Sequence, residues 1–148
     1  MIHFKRKSAL IFRSQKQFYR TAMDFFCYFC SSIFRVMIIV DKITNDELKA
    51  LAPNYFGDMV KAVADINKEI LCIDAELHAD MEQHLLSIGS QQSDLWGFNL
   101  YPDENGDDFI EFDSMINIRP YNNNRSRGVE NQEIRNKIIE IVNKKIER

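Results

Sequence analysis

Leu95-Trp96-Gly97-Phe98-Asn99-Leu100-Tyr101 decides the fold. Trp96, Phe98 and Leu100 alternate with Gly97, Asn99 and Tyr101, the period-two pattern of a strand with one apolar face. Pro102-Asp103-Glu104-Asn105-Gly106-Asp107 follows, and Pro, Asn, Asp and Gly are turn-forming residues. The next run, Phe109 to Arg119, is therefore expected to return antiparallel as the second arm of a hairpin. In it Ile110, Phe112, Ile116 and Ile118 share one face, while Glu111, Asp113, Met115, Asn117 and Arg119 share the other.

Working back along the chain, Ile70 to His78 alternates in the same way. Leu71, Ile73, Ala75 and Leu77 lie on one side, and Cys72, Asp74, Glu76 and His78 on the other. Helical spacing flanks these strands. Thr44 with Glu47 three positions later forms a capping box, so a helix is expected to begin at Asn45. Leu48, Leu51, Tyr55, Met59, Val63 and Ile66 continue it as one apolar face, with Pro53 and Gly57 placed to break or kink it. Asp80 to Leu86 reads as a short helix closed by Gly89. In the last helix Ile134, Ile138, Ile141 and Val142 form the buried stripe. Ile38 to Val40 is a short apolar strand or lead-in. Two amphipathic helices need one apolar sheet face. The expected fold is α+β: a two-layer sandwich with a three-stranded, mainly antiparallel sheet, one face covered by an N-terminal and a C-terminal helix.

That pattern starts at Met37, where the chemistry of the chain changes. Residues 1–36 carry seven Lys and Arg against one acid, Asp24, whereas residues 37–148 carry twelve against twenty-one, and the whole chain has a net charge of −3. Nine of the seventeen aromatic residues precede Met37, and every glycine and proline follows it. Residues 1–36 are expected to be a basic, aromatic-rich extension that is poorly ordered or outside the native protein. Residues 37–148 are expected to form a single α+β domain. Asp24 and Arg35 interrupt the apolar stretch from Ala22 to Val40, which argues against a signal peptide or a transmembrane segment. Cys27 and Cys30 have the spacing of half a metal or redox site without a second half. Three cysteines in all, Cys27, Cys30 and Cys72, suggest no disulfide framework and a reducing, cytoplasmic setting. An acidic body argues against broad nucleic-acid binding.

If the strands pair as described, the sheet face away from the helices is acidic. Asp74, Glu76, Glu111 and Asp113 would meet there, with His78 beside them. Clustered carboxylates are oxygen ligands for Mg²⁺ or Mn²⁺, and crowding raises a carboxyl pKa toward neutrality, so His78, Glu111 and Asp113 are the candidate acid and base groups. A solvated sheet face is also normally polar without any function. A second candidate is the loop Arg119-Pro120-Tyr121-Asn122-Asn123-Asn124-Arg125-Ser126-Arg127-Gly128. There Arg119, Arg125 and Arg127 precede a helix start and could hold an anion; the bland alternative pairs arginines with nearby carboxylates. Asn124-Arg125-Ser126 fits a glycosylation pattern, but with no secretory signal the match is expected to be chance.

Glu76-Leu77-His78-Ala79-Asp80, Gly89-Ser90-Gln91 through Asp94-Leu95-Trp96-Gly97, Asn99-Leu100-Tyr101-Pro102, and Phe109 through Pro120 with Asn124-Arg125-Ser126-Arg127 together resemble a family of short prokaryotic proteins catalogued as a domain of unknown function. The resemblance covers Met37 to the C-terminus. It implies a domain but transfers no catalytic residues. Two functions remain in view. One is a binding or regulatory module without its own catalysis and with no cofactor, recognising a protein partner or a small anionic ligand, with self-association as one form of partnership. The other is a phosphoryl or nucleotide hydrolase assisted by Mg²⁺ or Mn²⁺ on the acidic sheet face.

Overall fold

The computed structural model describes residues 37–54 and 56–148, so the expectations for residues 1–36, for Cys27 and Cys30 and for Tyr55 lie outside the described residues. Its elements are β1 (Ile38–Val40), β2 (Ile43–Thr44), α1 (Asn45–Leu51), β3 (Val60–Asp65), β4 (Ile70–Ile73), α2 (His78–Ser87), β5 (Leu95–Leu100), β6 (Ile110–Glu111), α3 (Gln132–Lys145) and β7 (Ile146–Glu147). The fold is α+β with a mainly antiparallel sheet. That sheet has five strands, not three, in the order β1-β4-β3-β5-β6. A separate short parallel pair joins β2 to β7.

The added central strand is β3, which the sequence pattern assigns to a helix. Helix α1 starts where expected: the Thr44 hydroxyl accepts from the Glu47 N–H at 3.2 Å while the Glu47 carboxylate accepts from the Thr44 N–H at 2.9 Å. It ends at Leu51, after which Ala52–Asn54 tightens into a 3-10 turn containing Pro53. Gly57 then takes φ +87, a left-handed backbone that a side chain disfavours, and the chain turns into β3. Val63 therefore lies in a strand, paired with Cys72 on one side and Gly97 on the other. Asp65 closes the β3–β4 turn by accepting the N–H groups of Asn67 and Lys68 on one carboxylate oxygen.

Alternate sheet residues enter two different cores. Ala62, Ala64, Leu71, Ile73, Trp96, Phe98 and Leu100 pack with Leu48 of α1 and with Ile138, Ile141 and Val142 of α3. Each such large side chain contributes about 1.5–3 kcal/mol on burial. Val63, Cys72 and Leu95 face the other way and pack with Met81 and Leu85 of α2 and with Ile116. The sheet is thus covered on both faces, which corrects the expected two-layer arrangement with one open polar face. The short helix expected from Asp80 starts at His78 and supplies that second cover.

Two strands end early. β4 stops at Ile73, and Asp74 adopts φ +69, which turns the chain away from the sheet. β6 covers only Ile110 and Glu111, with the chain continuing through Ser114 into a 3-10 turn at Met115–Asn117. Asn117 replaces the missing strand at the edge of β5. Its amide accepts the Gly97 N–H at 2.9 Å and donates to the Gly97 carbonyl at 2.8 Å and the Arg127 carbonyl at 2.8 Å. Gly97 permits this approach, since a Cβ there would stand 2.6 Å from the Ser114 hydroxyl.

Candidate functional site

The second cover leaves a cleft of about 280 Å³ between β5, the start of α2 and the 113–116 segment. Lys61, His78, Asn99, Asp113, Ser114 and Arg127 supply its polar lining. Three residues singled out by the sequence, His78, Asp113 and Arg127, meet here.

Two of the lining side chains are buried with a polar atom left over. Asn99 is 5% exposed and Ser114 1% exposed. Neither Asn99 Oδ1 nor Ser114 Oγ has a hydrogen-bond partner. A buried polar atom without a partner costs free energy, so such atoms call for an explanation. The orientation of Asn99 is fixed by Glu111, whose carboxylate accepts from Asn99 Nδ2 at 2.8 Å and from the Tyr101 hydroxyl at 3.0 Å. A carboxylate only accepts, which forces the Asn99 NH₂ toward Glu111 and its oxygen away. Glu111, on β6 opposite Asn99, is therefore a positioning residue in this structure.

His78 is the first residue of α2, and its Nε2 lies 2.8 Å from the Phe98 carbonyl oxygen. The carbonyl accepts only, so Nε2 carries the proton and Nδ1 keeps its lone pair. Burial pulls the imidazole pKa down to about 4, against a smaller opposing effect of the Phe98 carbonyl. At neutral pH His78 is uncharged. No side chain caps the start of α2, because the capping position is Leu77. Leu77, His78 and Ala79 all line the cleft, so the positive end of the helix opens into it.

The charges around the cleft are unevenly matched. Arg127 Nε and Nη2 hold the two oxygens of Asp113 at 2.6 and 2.8 Å, a bidentate pair. Lys61 donates to the Glu76 carbonyl at 3.0 Å and lies 4.2 Å from the Phe56 ring centroid. An ammonium has three N–H donors, so this carbonyl leaves Lys61 with donor capacity. At the rim, Leu77 is 53% and Met115 66% exposed.

The remaining sequence candidates lie elsewhere. Arg119 packs over Trp96 with its guanidinium on the Leu95 carbonyl at 2.7 Å, on the Gln92 carbonyl, and on Glu82 at 2.8 Å. Its donors tie the 119–124 loop to β5 and α2. Glu130 accepts the backbone N–H groups of Arg125 and Ser126, which folds the loop onto itself. Asn124 is buried and donates to the carbonyls of Asn117, Ser126 and Gly128, a use that leaves no amide for a glycan. Asp74 and Glu76 line a separate cleft of about 490 Å³ with Asp80 and His84. Among the described residues no three His, Cys, Asp or Glu side chains group as a metal ion requires, so Asp74, Glu76, Glu111 and Asp113 are not brought together. The early end of β4 at Ile73 separates the first two from the last two. Cys72 is buried and its thiol is pushed up to about 11 by that burial, which removes it as a nucleophile.

Lys61, Asn99 and Ser114 are the polar residues of this cleft that sequence pattern alone did not single out, Lys61 because the stretch holding it read as a helix with Lys61 on its solvent side. Asn99 stood on the polar face with no distinguishing spacing, and Ser114 gave no signal at all. No helix among the described residues is long and apolar enough to cross a membrane. A family described as "Protein of unknown function (DUF5674)" matches residues 37–145, and the chain belongs to that family. No curated protein and no solved structure matches the chain.

Proposed function

We infer that this protein is a binding module without chemistry of its own, and that its site is the cleft at the start of α2, where it takes a small anionic ligand. One observation carries this reading: the uncapped, positive end of α2 opens into a cleft that also holds Lys61 and two buried oxygens lacking partners. Unsatisfied first-turn N–H groups favour an anion.

The same features argue against hydrolysis at this cleft. His78 is held neutral with its Nε2–H donated to the Phe98 carbonyl, and the Asp113 carboxylate is held by Arg127. His78, whose pKa burial pulls down to about 4, is a weak base near neutral pH. Arg127 serves the site chiefly by neutralising Asp113, so that an incoming anion meets no net negative charge.

The test is an amide-resolved NMR titration of the whole chain with acetate and with phosphate, against chloride at matched ionic strength. Saturating shifts at Leu77, His78 and Ala79 that chloride does not produce, weakened in Lys61→Gln, are expected. Linear, unsaturated shifts spread over the surface would overturn the reading.

A further inference from the structure

We propose that the cleft recognises an N-acylated amino acid bearing an apolar side chain, either free or as the C-terminal residue of a peptide; this rests on the anion-binding reading and specifies its ligand. The ligand carboxylate meets the first turn of α2 and Lys61, its N–H meets Asn99 Oδ1, and its side chain covers Leu77 and Met115.

Each part follows from a different feature. Lys61 is the one cation of the cleft lining that no carboxylate pairs, since Arg127 is taken by Asp113 in two hydrogen bonds. A single negative charge suits one unpaired ammonium better than a phosphate dianion does. The Asn99 oxygen is a pure acceptor, turned away from Glu111 by the lock on its NH₂ and buried without a partner. It asks for a donor, which acetate and simple fatty carboxylates lack and which an amide N–H beside a carboxylate supplies. Nearby cations Lys61 and Arg127 disfavour an amine as that donor. Leu77 and Met115 are bulky apolar side chains left largely exposed at the mouth, next to Met59 and Ile116 in the lining. An aliphatic side chain would cover them, and the unbranched thioether of methionine adapts to such partners.

The test compares ligands rather than relying on variants of buried residues. N-acetyl-L-leucine, 4-methylpentanoate, N-acetyl-L-leucinamide, acetate and phosphate are titrated into the full chain, read by calorimetry and by amide shifts at Leu77 to Ala79. N-acetyl-L-leucine is expected to bind about tenfold more tightly than 4-methylpentanoate, which lacks the N–H. It should exceed N-acetyl-L-leucinamide, which lacks the charge, by at least a similar factor. Met115→Asp, a change at an exposed position, should weaken it further. Acetyl-Gly-Gly-Leu with a free C-terminus separates the sources: equal binding assigns the site to chain ends, and exclusion assigns it to free acylated amino acids. If 4-methylpentanoate, acetate or phosphate binds as tightly as N-acetyl-L-leucine, the proposal fails while the anion site stands. If none of the anions gives a saturable response, both fail.

Discussion

Replacing Asn117 by Ala should destabilise the protein by about 3–5 kcal/mol, because one side chain does the work of a missing strand. The magnitude follows from three hydrogen bonds at 2.8–2.9 Å, two to the Gly97 backbone and one to the Arg127 carbonyl, all made by a residue with no exposed surface. Alanine leaves the buried Gly97 N–H and Gly97 carbonyl without partners, each costing about 1–3 kcal/mol with some relief from entering water, while the Arg127 carbonyl loses one of two donors and keeps the Ser114 N–H at 3.0 Å. Domains of this size have about 5–15 kcal/mol in total, so the variant should be marginal but measurable. Urea unfolding is the assay: the midpoint should fall while the slope stays near that of the parent chain. Asn117→Asp should be worse, since a carboxylate accepts from the Gly97 N–H but repels the two carbonyls that Nδ2 now serves. A loss under about 1 kcal/mol for Asn117→Ala would refute the idea that this amide substitutes for β6 beyond Asn99.

Three further outcomes follow from neighbouring features. His78 resists protonation until about pH 4 in the folded state and would take a proton near 6.5 when unfolded. Its contribution is therefore complete above pH 6.5 and is lost as pH falls toward 4, by up to about 3 kcal/mol; urea midpoints at pH 7 and pH 4.5 should converge for His78→Gln relative to the parent. Gly97→Ala should destabilise by about 2 kcal/mol or more through its clash with Ser114, and Ser114→Gly in the same chain should recover most of that loss in thermal unfolding. Arg119→Lys should cost about 1–2 kcal/mol by losing the planar fork shared among Leu95, Gln92 and Glu82, yet leave acetate affinity unchanged in calorimetry, since Arg119 is absent from the cleft.

The sequence was most informative where a local rule had one outcome. The Thr44–Glu47 capping box starts α1 as expected, and the alternation from Leu95 to Leu100 identifies a strand and its faces. It misled at β3, where Met59, Val63 and Ile66 fit a helical stripe by spacing. A strand buried on both faces loses its alternation, so Val60 to Ala64 could not be separated from a helix by period alone. Pro53 and Gly57 were the truer signals. The acidic face failed for a related reason: Leu71 to Leu77 alternates past the point where Asp74 turns left-handed, and no pattern reveals that backbone angle. Glu111, Asp113 and Arg127 were visible as charges. Their roles as a lock on Asn99 and as a neutral pair became legible only with their partners in place, because a missing hydrogen bond, such as that of Asn99 Oδ1, leaves no mark on a sequence.

The most direct measurement is a crystal structure of the whole chain grown with N-acetyl-L-leucine. The account predicts density in the cleft, with the carboxylate within hydrogen-bond reach of the Ala79 N–H and Lys61 Nζ and the ligand N–H on Asn99 Oδ1. Ligand bound with its carboxylate turned to solvent, or seated elsewhere while Asn99 and Ser114 keep ordinary water, would contradict it.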